Sequence, residues 1–513
     1  MIFDTSRRLD VQRSKVEVND REDMNRPPRT LTFDRTLGTL LLALGVGLGG
    51  CIGHHEPDDQ RVIVFKHGKL AGDERRFDQL LREFEQRHPG VTVQNELLPS
   101  STDQQHQFYA INLEGRQPAF DLFAVDVIWA QEFARAGWIQ NLDAFVPVNR
   151  DEFFAAAIAA ATYRGSLYAV PWYLDAGVLF YRRDLLARYG FAPPQTWSEL
   201  VKSTARILEG EQDPSLKGFL WTGKQYEGLV CVALEFIWSH GGTLFETEAD
   251  LSTKEAQVRL AAAGRALGFM RELIVSGVSP PTVATTDEET ARHLFADGRA
   301  VYMRNWPYAW TLLQQTDSPV RARVGLAPLP SAPGERSASA LGGWLLAIPT
   351  GARHAQDAAE LLKFLVSPAV QRRMAIELGY KPAYRKLYRD PVLLEVQPWL
   401  TELYPVYESA RPRLVSPYYL MLSQIVQPEL SAAVVGRKRP DDALKSVRHQ
   451  IKDILSYDSA YDSFGGTIVD DGGDRRAGRR MSTSPSPNGR LGPQDPPEQR
   501  PRSSGHSSLL VRR

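Results

Sequence analysis

The middle of the chain shows apolar runs that alternate with amphipathic stretches, and the first of these predict a strand followed by a helix. The run RVIVFK at 61–66 is largely apolar, which is typical of a buried strand. A helix is predicted over 73–88, and Pro89 and Gly90 end it. Its apolar residues recur at helical spacing and would share one face, namely Phe77, Leu80, Leu81 and Phe84.

The same alternation continues further along the chain. VTVQNELL at 91–98 predicts a second strand, a polar helix is expected near 103–114, and FDLFAVD at 120–126 predicts a third strand. Strands that alternate with helices in this way form parallel, doubly wound sheets. The pattern therefore predicts an α/β fold whose ligands bind beyond the carboxyl ends of the strands.

Three polar side chains are expected at that edge of the sheet. Asp73 follows the first strand, Ser100 follows the second, and Asp126 ends the third. A single acidic residue after a strand often caps the next helix instead, and Asp73 is open to that interpretation. Two carboxylates that converge on one edge are more typical of a ligand site.

The stretch at 168–186 predicts a strand, a break and a second strand. Pro171 is expected to interrupt the sheet, because proline has no N–H to donate to a neighbouring strand. Asp175 lies among apolar residues, where an unpaired charge is costly, so it needs hydrogen-bond donors from the protein or from a ligand. We interpret this segment as a crossing between two lobes.

Two later stretches add candidate binding groups. The run ALGGWLLAIP begins with a glycine pair that allows close approach of the backbone, followed by Trp344 and a buried strand. In the run PRLVSPYY, Arg413 carries a planar guanidinium that suits paired oxygen atoms. The neighbouring Arg411 is interpreted as a member of a surface ion pair.

The stretch MRNWPYAW at 303–310 contains three aromatic residues, Trp306, Tyr308 and Trp310. The proline and its neighbouring rings favour Trp306 as a binding platform, whereas Trp310 is expected in the core. A neutral sugar offers hydroxyl groups to carboxylates and arginine, and an apolar C–H face to aromatic rings. The candidates that match this chemistry are Asp73, Asp126, Asp175, Trp306, Tyr308, Trp344 and Arg413.

Composition excludes several other functions. The 513 residues include 61 Lys and Arg against 61 Asp and Glu, so the chain lacks the basic excess typical of nucleic-acid-binding proteins. It has no phosphate-binding glycine loop and no His or Cys cluster with metal spacing, so we expect no cofactor, no metal, and ATP hydrolysis by a partner. Residues 456–513, rich in Gly, Ser, Pro, Asp and Arg, are predicted to be a disordered tail.

The N-terminal region has the order of features found in a lipoprotein signal. Arginines precede an apolar run at 37–48 that is too short to span a bilayer, and LGG stands directly before Cys51. This order resembles the bacterial lipobox. Residues 1–50 are therefore predicted to be a signal peptide, with Met24 as an alternative start, and 51–60 a linker anchored by lipid on Cys51. The alternative is an ordinary signal peptide or a buried helix.

These stretches together resemble the extracellular solute-binding proteins, family 1, of ABC sugar importers, and most of all the trehalose- and maltose-binding members. The resemblance covers about 62–455 and is carried by EFEQRHPGVTVQ, DVIW, AGWIQNLD, PWYLDAGVLFYRRDLL, GKQYEGLVC, RNWPYAW, SPVRARVGLAPLP, LGGW and PRLVSPYY. It implies a type II periplasmic-binding-protein fold, with two lobes of mainly parallel sheet joined by crossing segments. The N-terminal lobe is expected at 61–170 and 336–383, and the C-terminal lobe at 171–335 and 384–455.

The resemblance also implies sugar-binding positions. Those that match the family pattern are Asp73 (where the pattern favours Glu), Asp126, Tyr173, Asp175, Trp306, Tyr308, Gly343, Trp344 and Arg413. Ser100 completes the predicted site, while Cys231 in GKQYEGLVC is expected to be a buried structural thiol and its neighbour Glu227 is given no role.

The function implied by the resemblance is capture of a disaccharide, such as trehalose or maltose, outside the cytoplasm. A lipid-anchored binding protein of this kind delivers its sugar to membrane permease subunits that are driven by a separate cytoplasmic ATPase. The resemblance therefore implies that the protein is not an enzyme. The alternative is a glycoside hydrolase that uses two of the carboxylates as acid and nucleophile.

The membrane anchor is directly testable. Replacing Cys51 with Ala removes the acyl acceptor, so the variant should leave the membrane fraction in which the wild-type chain is found. One acyl chain anchors only marginally, so mass spectrometry of the wild type should show more than one chain on the cysteine. If Cys51→Ala stays with the membrane and the wild type carries no acyl mass, the lipobox interpretation is wrong.

Overall fold

The computed structural model describes residues 61–70, 72–99, 101–115, 117–245 and 253–463. The predicted signal peptide and linker, Cys51, Ser100 and the predicted tail beyond residue 463 lie outside the described residues. No helix within these ranges is both long enough and apolar enough to cross a membrane.

The strands of the described residues are β1 Arg61–Gly68, β2 Val91–Leu98, β3 Leu122–Asp126, β4 Thr162–Tyr163, β5 Ser166–Leu167, β6 Val170–Ala176, β7 Val178–Arg182, β8 Lys217–Leu220, β9 Ala300–Asn305, β10 Val324–Ala327, β11 Leu341–Ala347 and β12 Lys381–Pro382. The helices are α1 Glu74–Arg87, α2 Thr102–Glu114, α3 Ala130–Arg135, α4 Ala155–Ala161, α5 Arg183–Arg188, α6 Trp197–Glu211, α7 Glu227–Ser239, α8 Lys254–Val275, α9 Glu288–Ala296, α10 Ala309–Leu313, α11 Ala355–Leu365, α12 Pro368–Leu378, α13 Pro391–Val396, α14 Leu400–Ser409, α15 Tyr419–Val434 and α16 Pro440–Ser463.

The first elements follow the pattern predicted for them. Helix α1 buries one face against the sheet, and that face consists of the four predicted residues Phe77, Leu80, Leu81 and Phe84. Strand β1 pairs in parallel with β2 over its whole length and with β3 on its other side. These predictions are confirmed, because they rest on local periodicity and on burial of a single face.

Two sheets define two lobes. The sheet of the first lobe has the strand order β12-β6-β11-β3-β1-β2, and that of the second lobe has the order β10-β7-β9-β8. The two-lobed α/β fold is confirmed, but both sheets are mixed rather than mainly parallel, since β11 is antiparallel to both its neighbours and so is β7. Parallel pairing needs a crossover that returns the chain to the same end of the sheet. Strand β11 instead arrives from the second lobe and runs in the opposite direction.

The first crossing between the lobes lies at Gly177, between β6 of the first sheet and β7 of the second. The break predicted at Pro171 is wrong, because Pro171 lies within β6 opposite Leu345 of β11, where the register shifts. A local irregularity of this kind accommodates a residue that cannot donate a hydrogen bond. The lobe boundary predicted at residue 171 therefore moves to Gly177.

The segment that follows β12 packs on the first lobe and not, as predicted from residue 384, on the second. Tyr388, Tyr404 and Tyr407 surround Phe154, with ring centroids 5.3, 5.9 and 5.7 Å from its own. The Tyr407 hydroxyl also donates a hydrogen bond to the carbonyl of Leu174 in β6 at 3.3 Å. Burial of these rings fixes the segment to the first lobe. The last crossing therefore follows α14, and α15 begins the return to the second lobe.

Helix α16 runs further than the composition suggested. It continues to Ser463, so the disordered tail predicted from residue 456 begins too early. Each residue added to an existing helix gains a backbone hydrogen bond, which favours extension beyond the packed part of the helix.

The close approach of β11 to β6 can be tested at Gly343, whose φ is +121°. A Cβ atom there would lie 2.6 Å from the carbonyl oxygen of Tyr173 and 2.7 Å from the Cα of Leu174. Gly343→Ala should therefore cost about 2–5 kcal/mol in the free energy of unfolding, from backbone strain and overpacking together.

Gly137→Ala is the matched control, because Gly137 has a φ of +69° but a Cβ there would meet nothing within 4 Å. It should show only the backbone contribution of about 1–2 kcal/mol. Denaturant unfolding of both variants is the measurement, and equal losses would contradict the tight contact between β11 and β6.

Candidate functional site

A cavity of about 650 Å³ lies between the two lobes, within the size range of small-molecule sites. Its walls come from the carboxyl end of β3, from β6 and β11, and, in the second lobe, from the start of α7 and the segment after β9. The predicted residues that line it are Asp126, Tyr173, Asp175, Trp306, Tyr308, Gly343, Trp344 and Arg413.

Strand register explains why residues distant in sequence meet here. Strand β11 lies between β3 and β6, so Trp344 is opposite both Asp126 and Tyr173, and Gly342 is opposite Asp175. Residues directly across neighbouring strands, and those two positions along, share one face of a sheet. One face of the first lobe therefore presents two aromatic rings between two carboxylates.

Arg413 connects carboxylates from both lobes. Its Nη2 donates to Asp126 Oδ1 at 3.3 Å, and its Nη1 donates to Glu227 Oε1 at 2.8 Å. Burial raises the pKa of the Asp126 carboxyl, and the positive charge of Arg413 opposes that rise. Arg413 is only 5% exposed, and these two carboxylates match its positive charge.

Asp175 shares its environment with a buried lysine. Burial raises the pKa of Asp175, while the positive charges of Lys381 and Arg304 lower it. Burial likewise lowers the pKa of Lys381, and Asp175 raises it. The ammonium of Lys381 donates to the carbonyl of Gly379 and lies 4.7 Å from the centroid of the Trp399 ring. The charge that looked unpaired in the sequence thus has cationic neighbours.

The Trp306 ring is partly buried and contacts two charged side chains. The guanidinium of Arg304 lies 4.0 Å from its centroid, a cation–π distance, and Trp306 Nε1 donates to Glu288 Oε1 at 3.4 Å. Arg304 is itself fixed by Glu235, with Nε to Oε2 at 2.7 Å and Nη2 to Oε1 at 2.5 Å. The ring therefore lines the cavity in a set orientation, as a platform for an apolar face should.

Tyr308, directly before helix α10, and Trp310, within it, have different surroundings. The Tyr308 hydroxyl donates to Glu289 Oε1 at 2.6 Å at the cavity wall, and burial raises the pKa of Tyr308. Trp310 instead lines a separate groove and packs on Trp399, with ring centroids 5.1 Å apart. It is partly buried and lies outside the cavity.

Asp73 is the predicted binding residue that the structure does not bring into the cavity. It is the N-cap of α1, and its carboxylate accepts hydrogen bonds from the Arg75 backbone at 3.1 Å and from the Arg75 guanidinium at 2.9 Å. The side-chain hydrogen bond from Arg75 lowers the pKa of Asp73. The capping interpretation is therefore the correct one, and the neighbouring Gly72 lines the cavity instead.

Several cavity residues carried no binding assignment from the sequence, namely Tyr226, Glu227, Cys231, Glu289 and Tyr380. The stretch GKQYEGLVC is distinctive in the sequence. Only the tertiary structure shows that Glu227 within it accepts a hydrogen bond from Arg413. Cys231 is 2% exposed, and burial raises the pKa of its thiol to about 12. In the part of the chain that the structure describes, no group of three or more His, Cys, Asp or Glu could hold a metal ion.

Comparison with known proteins decides the family. The family model for the bacterial extracellular solute-binding protein matches residues 69–372. A probable ABC transporter-binding protein of Deinococcus radiodurans is 33% identical over 370 residues, which cover 71% of this chain and 86% of that protein. The chain belongs to the bacterial extracellular solute-binding proteins. The resemblance found in the sequence is thereby confirmed.

Two further relatives of this solute-binding protein have named ligands. The structure of maltose-bound MalE3 of T. maritima is similar with a TM-score of 0.70 and 36% identity, over 77% of this chain and 100% of that one. The maltotriose-binding protein of Pyrococcus abyssi is 26% identical over 337 residues, which cover 64% of this chain and 68% of that protein.

Membership of this family settles the class of activity. Extracellular solute-binding proteins act outside the cytoplasm and bind their solutes without converting them, so this chain is not an enzyme. The glycoside hydrolase alternative is therefore wrong, and the cavity carboxylates are best understood as hydrogen-bond acceptors.

The buried ion pair between Arg304 and Glu235, next to Trp306, can be tested through its effect on stability. Arg304→Met leaves Glu235 buried and unpaired, and should cost about 3–5 kcal/mol in the free energy of unfolding. Replacing both partners, Arg304→Met with Glu235→Leu, should recover most of that loss because no isolated charge remains.

Denaturant unfolding of the two variants and the wild type is the measurement. Arg188→Met is the control, since its partner Glu211 is solvent-accessible and the loss should stay below about 1 kcal/mol. An Arg304→Met variant as stable as the wild type would contradict the buried pair.

Proposed function

We propose that this solute-binding protein captures an α-linked glucose disaccharide, with maltose and trehalose as the first candidates, in the cavity between its lobes. It then delivers the sugar to the membrane permease of an ABC importer whose ATPase is a separate cytoplasmic subunit. Lipid on Cys51 would keep the protein at the outer face of the membrane or in the periplasm.

The observation that carries the proposal is the arrangement of rings and acceptors around one cavity. Trp306 and Tyr308 line it from the second lobe, and Tyr173 and Trp344 line it from the first. Sugars have an apolar C–H face that packs on aromatic rings and hydroxyl groups that donate to carboxylates. Asp126 supplies such a carboxylate in the same wall.

The charges around the cavity favour a neutral ligand. Arg413 is held by Asp126 and Glu227, and Lys69 lies 3.7 Å from Glu74. A phosphorylated or peptide ligand with a carboxylate would need a cation that is free to pair with it. Among the described cavity residues each cation already has an acidic partner, so a polyhydroxylated neutral solute fits better.

Two relatives support a glucose disaccharide. MalE3 of T. maritima, which is 36% identical, was solved with maltose bound, and the P. abyssi relative is named for maltotriose. Both ligands are α-linked glucosides, so this class is the first to test. The ABC transporter-binding protein of D. radiodurans supports the permease as partner.

The decisive experiment is calorimetric titration against a panel of disaccharides, with maltose and trehalose beside β-linked and non-glucose sugars. A titratable heat with an α-glucoside and none with the others is the expected result. In the same experiment Trp306→Ala should lose about 1–3 kcal/mol of binding free energy, through lost apolar contact and stacking. Its melting temperature should change little, because the ring is only partly buried.

Trp310→Ala is the matched control, because Trp310 packs on Trp399 outside the cavity. It should leave the affinity close to wild type, and its melting temperature should change about as little as that of Trp306→Ala, because both rings are partly buried. Trp306→Phe should keep part of the affinity and Trp306→Leu less. The platform role is wrong if Trp306→Ala melts far below the wild type and still binds the sugar normally.

A further inference from the structure

Glu227 is a cavity residue whose carboxylate accepts hydrogen bonds from several side chains of the protein. It is the first residue of α7, is 8% exposed and lines the cavity between the lobes. Its Oε1 accepts from Arg413 Nη1 at 2.8 Å and from the Tyr419 hydroxyl at 2.7 Å. Its Oε2 accepts from the Ser423 hydroxyl. Both carboxylate oxygens are thus occupied by protein donors, so Glu227 is poorly placed to serve as a ligand acceptor itself.

The donors to Glu227 come from one stretch of chain. Arg413 lies in the crossing segment after α14, and Tyr419 and Ser423 lie in the first turns of α15. Helix α15 packs on α7 in the second lobe. Glu227 therefore ties the end of the crossing segment to the second lobe and holds the Arg413 side chain with it.

Arg413, held by Glu227, also contacts the first lobe. Its Nη2 donates to Asp126 Oδ1 at 3.3 Å, and the same oxygen accepts the backbone N–H of Ile128 at 3.2 Å. Both contacts fall on Oδ1, and no described residue donates to Oδ2, which is the oxygen left for a ligand hydroxyl. The orientation of the Asp126 carboxylate thus depends on where Glu227 places Arg413.

We propose that Glu227 is a positioning residue for solute binding, which acts through Arg413 to orient the Asp126 carboxylate in the cavity. The proposal rests on the proposed function in that it needs a solute bound beside Asp126. A merely structural Glu227 would change stability in proportion to its lost hydrogen bonds. A positioning Glu227 changes affinity, and only while Arg413 is present.

The test is a double-mutant cycle on affinity, measured by calorimetry with the sugar that binds the wild type in the disaccharide panel. Glu227→Gln keeps the shape of the side chain but removes the charge that holds Arg413, so binding should weaken at least ~10-fold, the loss expected for one charge-assisted hydrogen bond. In an Arg413→Gln background the same substitution should change affinity less than ~2-fold, since coupled residues are not additive.

Ser423→Ala is the matched control, because it removes one hydrogen bond to Glu227 but leaves the Arg413 contact in place. Its affinity should stay within ~3-fold of wild type, because the lost hydrogen bond falls on Oε2 and the Arg413 contact on Oε1 remains. Equal effects of Ser423→Ala and Glu227→Gln, or an undiminished effect of Glu227→Gln without Arg413, would overturn the proposal.

A second readout needs no ligand. Cys231 is buried one turn after Glu227, with its thiol 4.0 Å from Glu227 Oε1, and in a Cys51→Ala chain it is the single thiol. Release of Arg413 in Glu227→Gln should expose this thiol to a disulfide reagent, whereas Ser423→Ala should leave it protected. If no sugar of the panel binds the wild type, the proposed disaccharide is wrong, and the thiol result then tests only whether Glu227 holds Arg413 in place. Unchanged thiol protection in Glu227→Gln would then overturn the positioning role.

Discussion

The buried ion pair between Glu235 and Arg304 is the interaction around which the two lobes are joined. The side chains are 2% and 1% exposed, and the first crossing passes so close that a Cβ on Gly177 would lie 1.9 Å from Glu235 Oε1. The same oxygen accepts the backbone N–H of Ala340, just before β11, at 3.1 Å. Two crossings thus meet at one carboxylate. Because a lone buried charge is strongly unfavourable, removing either partner alone should destabilise the junction.

This junction also shapes the ligand cavity. The guanidinium of Arg304 also lies 4.0 Å from the centroid of the Trp306 ring. The orientation of this ring, which is the platform of the second lobe, therefore depends on the junction. In the first lobe, β11 begins directly after Ala340 at the junction, and its residue Trp344 lies in the cavity wall. Rings from both lobes are therefore positioned by strands that start or end at the same ion pair. A change at the junction should alter both walls of the cavity together.

The sequence predicted what depends on local pattern and missed what depends on tertiary contact. The buried face of α1 follows from spacing alone, and the aromatic and acidic cavity residues stand out by their chemistry. The break predicted at Pro171 was wrong because the register of β11 shifts opposite it, so no hydrogen bond from an N–H is required at that position. Nothing in the neighbouring residues signals that shift. Asp73 was equally consistent with a cap and a ligand, and only the position of Arg75 decides between them. Glu227 could not be placed because its partners lie far along the chain.

The ion pairs make discrimination between solutes a property of the charge network and not only of cavity shape. An anionic solute that paired with Arg413 would compete with Asp126 and Glu227 for its guanidinium, and displacing either would leave a buried carboxylate without its cation. Breaking a buried pair in this way costs about 3–5 kcal/mol, which would offset most of the gain from a new ion pair. A neutral polyol keeps every pair intact and can donate a hydrogen bond to Oδ2 of Asp126, because both described contacts of that carboxylate fall on Oδ1. The charge network around the cavity therefore favours an uncharged, hydroxyl-rich solute.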